Sequence, residues 1–118
     1  TNGIEVSPDG KQLYVNESRQ VNLWVYDIGE DKSIGNKRLF YKFDGYGLDG
    51  MRCDTKGNLY VTRHEKGAVA ILSPKGELLN EVNLTGTKPS NITFYQGWAY
   101  VTLQDKGCFA MFECDPNL

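Results

Sequence analysis

Short apolar segments alternate with glycine-containing turns along the chain, and this alternation repeats three times. Three similar strand cores, Leu13-Tyr14-Val15, Leu59-Tyr60-Val61 and Ala99-Tyr100-Val101, are spaced 46 and 40 residues apart. Each core is preceded by another short apolar segment and a turn. The turns are Pro8-Asp9-Gly10, Thr55-Lys56-Gly57 and Tyr95-Gln96-Gly97. Because Pro and Gly supply the backbone angles of tight turns, each unit is predicted to begin with a β-hairpin.

Further apolar runs follow each predicted hairpin. Third strands are predicted at 21–28, 68–72 and 108–114, and fourth strands at 38–43 and 78–84. Several runs are apolar on both alternating faces, which is typical of sheets covered on both sides. No apolar period of 3.6 residues is sustained, so helices are expected to be minor.

Four strands per unit, at a period near 40 to 46 residues, are typical of a β-propeller blade. A β-sandwich also has short strands and frequent turns. A sandwich does not require repeated units, so the repeat favours the propeller. The prediction is an all-β chain with blade units at about 1–47, 48–88 and 89–118. It covers two complete four-stranded blades and part of a third.

An incomplete ring has a physical consequence. Closed propellers have typically 4–8 blades, and an open set exposes strand edges and the apolar flank of a terminal blade. We therefore expect this chain to be the C-terminal part of a propeller. The remaining blades would come from a missing N-terminal part or from a second copy of the chain.

Composition and charge exclude some partners. The 118 residues carry a formal net charge of −2, with 40% hydrophobic and 24% charged residues, which is ordinary for a globular protein. The pI is about 5.3 and the basic residues are scattered, so no nucleic-acid partner is expected. No apolar run approaches the ~20 residues that span a bilayer. A soluble protein is expected, and its compartment stays open between the cytoplasm and the periplasm or secretion.

The cysteines are predicted to be structural. Cys53, Cys108 and Cys114 form no C-x-x-C pair, and the single histidine, His64, leaves no Cys/His zinc set. Cys108 and Cys114 are too far apart to bond if they lie on one strand. All three are expected to be small buried apolar side chains.

The starts of the innermost strands place oxygen-bearing side chains around the predicted channel. Aligning the three strands puts Asn2, Asp49 and Ser90 at equivalent positions on one rim. An amide, a carboxylate and a hydroxyl from successive blades suit a hard divalent cation such as calcium. The alternative is that Asn-Gly and Asp-Gly serve only as turn dipeptides.

Two segments carry a resemblance to a known family. Residues 2–15 resemble the segment N-G-I-x-x-S-P-D-G-K-x-L-Y-V of the superfamily that contains gluconolactonases, regucalcin and luciferin-regenerating enzyme. Residues 48–61 resemble its segment P-D-G-M-x-x-D-x-x-G-N-L-Y/W-V, with Leu48 in place of the common Pro. A third family segment, with Phe-Gly-Gly, corresponds to 90–97 here, which is shortened and lacks Gly-Gly.

The resemblance implies a six-bladed propeller with one divalent cation in its central channel, calcium first, with zinc or magnesium as alternatives. Two family ligands map onto Asn2 and Asp49, and the resemblance also makes Asp49 the general base. The other ligands, a Glu and an Asn, would lie upstream of Thr1, so this chain alone is expected to bind metal poorly. The activity implied is metal-dependent hydrolysis of small-molecule lactones of the sugar class. The alternatives are a non-enzymatic binding scaffold and a calcium-binding regulatory protein.

Three further polar residues are interpreted from their positions. His64 follows the second strand of the second unit, on the predicted metal rim, where it is a candidate to contact substrate or aid proton transfer. The alternative is an exposed loop histidine. Arg63 is expected to be a solvated charge rather than an anion-binding group. Asp54 lies on the opposite rim, where it is expected to cap a turn.

Overall fold

The computed structural model describes residues 3–118, which form eleven strands and no helix. The strands are β1 (Ile4–Val6), β2 (Gln12–Glu17), β3 (Asn22–Ile28), β4 (Ile34–Lys42), β5 (Met51–Cys53), β6 (Leu59–Arg63), β7 (Ala68–Leu72), β8 (Leu78–Asn83), β9 (Pro89–Tyr95), β10 (Trp98–Leu103) and β11 (Cys108–Glu113). They form three antiparallel meanders, β1 to β4, β5 to β8 and β9 to β11. We call these blades 1, 2 and 3. This confirms the all-β prediction of two four-stranded blades and part of a third.

Two strands begin earlier than the apolar pattern predicts. Strand β4 starts at Ile34 instead of position 38, because its polar first half still pairs with the end of β3, as in the pair Ile28 and Ile34. Strand β9 starts at Pro89, three residues before the apolar segment 92–94 that precedes the third strand core, and Pro89 pairs with Leu103 at the end of β10. Backbone pairing extends both strands beyond the apolar runs, through exposed residues at the start of β4 and from the buried Pro89 at the start of β9.

The two central strands of the middle blade are buried on both faces. Every residue of β6 and β7 is buried, and alternate side chains enter two different cores. Leu59 and Val61 pack in the core between blades 1 and 2, together with Leu72. Tyr60, between them in sequence, packs with Ile71 in the core between blades 2 and 3. The near-continuous apolar run therefore reflects a sheet with a neighbour on each side.

The hairpin between β9 and β10 forms even though its sequence departs from the family segment. Gln96 and Gly97 have φ angles of 48° and 82°. Two successive residues with positive φ are characteristic of a two-residue type I′ turn, which matches the twist of the flanking strands. Tyr95 and Trp98 close the turn as a cross-strand pair, so the shortened segment is long enough to form the hairpin.

The innermost strands β1, β5 and β9 lie against one another, and apolar side chains are exposed on the two outer flanks. Ile4 and Val6 on blade 1 are 66% and 44% exposed, and Phe109 and Met111 on blade 3 are 61% and 48% exposed. These side chains alternate with residues that face inward. Glu5, for example, accepts a hydrogen bond from the Cys53 amide of blade 2 at 2.8 Å. No helix within residues 3–118 is long and apolar enough to cross a membrane.

The cysteine prediction is wrong in part. Cys108 is exposed, while Cys53 and Cys114 are partly buried and pack against the two cores. All three are free thiols. Cys108 begins β11, which is an edge strand of blade 3 within the described residues. A strand pattern alone does not indicate whether such a strand is covered or exposed.

Candidate functional site

The three innermost strands start in the same register on one rim. Gly3 O accepts a hydrogen bond from Asn16 N at 3.0 Å, and Gly50 O accepts one from Thr62 N at 3.0 Å. In blade 3 the corresponding pair is Asn91 and Thr102. Asp49 and Ser90 immediately precede these positions in blades 2 and 3. The remaining predicted ligand, Asn2, lies outside the residues that the structure describes.

The backbone at Asp49 is held from both neighbouring blades. The buried Asn16 side chain of blade 1 donates from Nδ2 to Asp49 O at 2.7 Å. Within blade 2, Asp49 N donates to Thr62 O at 3.1 Å. The next amide, Gly50 N, donates to Ser90 O of blade 3 at 2.9 Å. These bonds fix the main chain that carries the carboxylate.

Gly50 allows blades 2 and 3 to approach closely at the rim. A Cβ atom at this position would lie 2.6 Å from Asn91 Oδ1, 2.7 Å from Ser90 O and 2.9 Å from Asn91 Cα. Two of these three atoms belong to the backbone and cannot move away cheaply. The residue after Asp49 is therefore glycine because a neighbouring strand occupies the space of a side chain.

The Asp49 carboxyl lies in a partly desolvated position. Burial raises the pKa of this carboxyl above its usual value, and the nearby His64 acts in the opposite direction. None of the ion pairs within residues 3–118 includes Asp49. A groove of about 300 Å³ runs past it, lined by residues of β1, β5 and β9 including Glu5, Arg52 and Asn91. A carboxylate in this setting is a stronger base than one in water and offers oxygen ligands to a cation.

One carboxylate does not make a complete metal centre. Within the described range 3–118, no three His, Cys, Asp or Glu side chains converge in a way that could hold a metal ion. The hard oxygens of Asp49 nevertheless suit a divalent cation, since its charge would offset the cost of burying the carboxylate. This part of the chain therefore fits a role as contributor of one ligand to a shared site.

The structure places His64 near Asp49, close enough for the two side chains to interact electrostatically. Gly47, in the segment that leads to Asp49, donates from its amide to His64 O at 2.8 Å. The imidazole is 24% exposed, with Nδ1 3.5 Å from a Glu65 carboxylate oxygen. Its Nε2 lies 3.0 Å from Oε1 of Gln104 in blade 3. His64 is therefore a partly buried, hydrogen-bonded residue and not an unrestrained loop side chain.

Sequence reasoning missed two residues of this rim, Asn16 and Gln104. An alignment of the second strands β2, β6 and β10 makes Asn16, Thr62 and Thr102 equivalent positions. The same alignment would have placed Gln104 at the position of His64. The repeat contained the signal, but the side-chain contacts across blades depend on how the blades pack.

Arg63 is buried, so its interpretation as a solvated charge is wrong. It is 2% exposed, and its guanidinium lies 4.1 Å from the centre of the Phe43 ring. Nη2 donates to Gly45 O, and Nη1 lies 3.7 Å from Glu81. Burial lowers the pKa of the guanidinium, while Glu81 favours its charged form. Arg63 thus ties the loop that precedes Asp49 to blade 2.

Arg63→Lys should lower the free energy of unfolding of the complete protein by about 1–3 kcal/mol, because an ammonium cannot stack on Phe43 while it also bonds Gly45 O. Urea unfolding measures this loss. Arg38→Lys is the matched control, since Arg38 pairs with Asp27 in an exposed position and should change stability by less than about 1 kcal/mol. Equal effects of the two substitutions would contradict the anchoring role.

Asp54 caps a turn on the opposite rim, as predicted. One carboxylate oxygen accepts from the amides of Lys56 and Asn58, both at 2.9 Å. The other accepts from Asn58 Nδ2 at 3.0 Å. These bonds occupy Asp54 in local structure and separate its role from that of Asp49.

Comparison with known proteins identifies the same architecture. The family described as "SMP-30/Gluconolactonase/LRE-like region" matches residues 1–104. A gluconolactonase of Zymomonas mobilis is 33% identical over 104 residues, which cover 79% of this chain and 29% of that protein. A 6-deoxy-6-sulfogluconolactonase of Pseudomonas putida is 30% identical over 97 residues, which cover 80% of this chain and 33% of that protein.

A solved structure supports the fold independently. The calcium-binding protein regucalcin from Agrobacterium tumefaciens superposes with a TM-score of 0.83 at 21% identity, covering 94% of this chain and 44% of that one. The chain spans about a third of the length of the two lactonases it matches. Its blades therefore correspond to one part of each of these larger relatives.

Proposed function

Since the chain belongs to the SMP-30/gluconolactonase/LRE-like family, we propose that the complete protein is a metal-dependent hydrolase of sugar lactones. The observation that carries this proposal is the Asp49 carboxylate. It lies on the channel rim, its main chain is bound by both neighbouring blades, and its pKa is raised by burial. The two similar lactonases support the reaction class.

Asp49 acts as the general base in this proposal. Its carboxylate takes a proton from the attacking water, and the water oxygen adds to the lactone carbonyl. The ring C–O bond then breaks, and the proton passes from Asp49 to the departing ring oxygen, which gives the hydroxy acid and restores the carboxylate. Burial makes the carboxylate a better proton acceptor at neutral pH. Because the backbone at Asp49 is fixed by Asn16, Thr62 and Ser90, the carboxylate needs little reorganisation.

Asp49 and Asn2 are also the proposed ligands of one divalent cation from this chain. Carboxylate and amide oxygens favour calcium, with zinc and magnesium as the alternatives. The cation, when bound, supplies a positive charge that polarises the lactone carbonyl. His64 lies beside Asp49 on the same rim and is the proposed substrate contact, since its imidazole is held by Gln104 and remains partly exposed.

The rest of the site is proposed to come from further blades. The exposed apolar side chains of the two flanks, Ile4 and Val6 on one and Phe109 and Met111 on the other, support this arrangement. Apolar patches of this kind mark surfaces that another element covers. These blades would come either from further sequence of a longer protein or from a second copy of this chain.

The deciding experiment measures hydrolysis of glucono-δ-lactone by the complete protein, with acid release followed above the spontaneous rate. We expect turnover with calcium present and its loss after chelation. Calcium binding without hydrolysis of this or other lactones would favour the regulatory alternative. A protein that neither binds a divalent cation nor hydrolyses lactones would favour the binding scaffold.

Removing the metal should also lower thermal stability, because the partly buried Asp49 carboxylate then has no cation to offset its desolvation. At a free calcium concentration one hundred times Kd, binding stabilises the folded state by about 2.7 kcal/mol. Thermal unfolding with excess EDTA and after calcium repletion measures the effect. The same scans on Asp49→Asn should show a much smaller response to calcium.

A further inference from the structure

We infer that Gln104 is a positioning residue that fixes the orientation of the His64 imidazole on the channel rim. The contact joins blades 2 and 3 through residues 40 positions apart, with His64 Nε2 and Gln104 Oε1 separated by 3.0 Å. The kinetic consequence rests on the proposed function, in which His64 contacts the substrate. The geometric claim can be tested without any turnover.

The register of the blades places these side chains together. Val15, Val61 and Val101 are equivalent residues of β2, β6 and β10, so Ser18, His64 and Gln104 are equivalent positions three residues later. Ser18 is also used across a blade boundary, since its Oγ accepts from Leu48 N at 2.9 Å. Within the described range, this position of the repeat therefore makes a contact across each of the two blade boundaries.

Gln104 stands on an anchored loop. The main-chain N–H of Gln104 donates to Lys88 O at 2.9 Å. The next residue, Asp105, accepts hydrogen bonds from the amides of Thr87 and Lys88 at 3.1 and 3.0 Å. A side chain on a loop held this way can restrain its partner, because little of the restraint is lost to loop motion.

Contacts at both ring nitrogens and close packing at Cβ define the His64 orientation. Gln104 Oε1 is an acceptor, so a hydrogen bond at this contact requires hydrogen on Nε2. Nδ1 faces Glu65 at 3.5 Å. The backbone of Gly47 closes a third side, since a Cβ there would lie 3.2 Å from His64 Cβ. With the ring fixed, its exposed edge presents one constant surface to a substrate beside Asp49.

The first test is NMR of the complete protein at about pH 8. The His64 signals are assigned by their absence in His64→Asn. We expect a slowly exchanging Nε2–H proton and a nuclear Overhauser contact between the ring and the Gln104 side chain. Gln104→Glu keeps an oxygen acceptor and should retain the slow N–H signal, while Gln104→Leu should lose it. Wild-type protein without the ring contact, or a Leu variant with an unchanged N–H signal, would overturn the inference.

The second test measures kcat and KM for glucono-δ-lactone. Gln104→Leu should raise KM about three- to tenfold, as expected for the loss of one restraining hydrogen bond, with little change in kcat. Gln104→Glu should restore most of the difference. In a His64→Asn background the Leu substitution should have no further effect, because the group that it positions is absent.

Gln20→Leu is the matched control, since Gln20 is an exposed glutamine in the corresponding loop of blade 1. It should change neither KM nor the His64 signals. An equal rise in KM in this control would contradict the specific role of Gln104. If the wild-type protein hydrolyses no lactone, the proposed function fails, and the NMR result still decides whether Gln104 positions His64.

Discussion

Asp49→Asn in the complete protein should reduce kcat for lactone hydrolysis by about 10²–10⁴-fold, the range expected for loss of a general base. A carboxamide has nearly the same shape but cannot take a proton from water. It is also a weaker ligand for a divalent cation, because it carries no charge. Steady-state kinetics at saturating calcium measures the change.

The same substitution should leave the fold intact. The bonds that tie residue 49 to Asn16 and Thr62 involve only its main chain. Because burial raises the pKa of the Asp49 carboxyl, the ionised form costs stability at neutral pH. The metal-free Asn variant should therefore be at least as stable as metal-free wild type. Asp44→Asn, at an exposed position of the same loop, should keep wild-type kcat. Retained turnover in Asp49→Asn would show that Asp49 is not the base.

Gly50→Ala should destabilise the complete protein by about 1–3 kcal/mol, the usual cost of inserting atoms into a packed site. The new methyl group would meet Asn91 Oδ1 at 2.6 Å and Ser90 O at 2.7 Å. Relief requires blades 2 and 3 to separate at the rim, which also stretches the bond from Gly50 N to Ser90 O. Since Asp49 is the adjacent residue, its carboxylate would shift, and a displacement near 1 Å can cost about 10²-fold in rate.

Gly35→Ala is the control for this prediction. Gly35 lies in β4, and a Cβ there would have no heavy atom within 4 Å. The substitution should be neutral or stabilise the protein by up to about 1 kcal/mol, because alanine reduces the freedom of the unfolded chain. Urea unfolding of both variants, with kcat measured in parallel, tests the close approach of the blades. Equal unfolding midpoints for the two variants would rule out close packing of blades 2 and 3 at Gly50.

The sequence by itself determined the number and order of the strands, the hairpins and the place of Asp49 just before the innermost strand of blade 2. These features are local or periodic. Alternating apolar residues predict strands, glycine turns predict hairpins, and a repeat makes positions in successive blades comparable. The both-sided apolar pattern of β6 and β7 correctly indicated that blade 2 has a neighbour on each face.

Only the tertiary structure decided which polar side chains meet. Asn16 reaches Asp49 O from 33 positions away, and His64 meets Gln104 across 40. Arg63, which reads as an ordinary loop charge, is buried because blade packing brings Phe43 and Gly45 O around its guanidinium. Contacts between blades depend on the distance and angle at which separate sheets pack. No alternation within a strand encodes those quantities, so the sequence could place these residues on a rim but could not pair them.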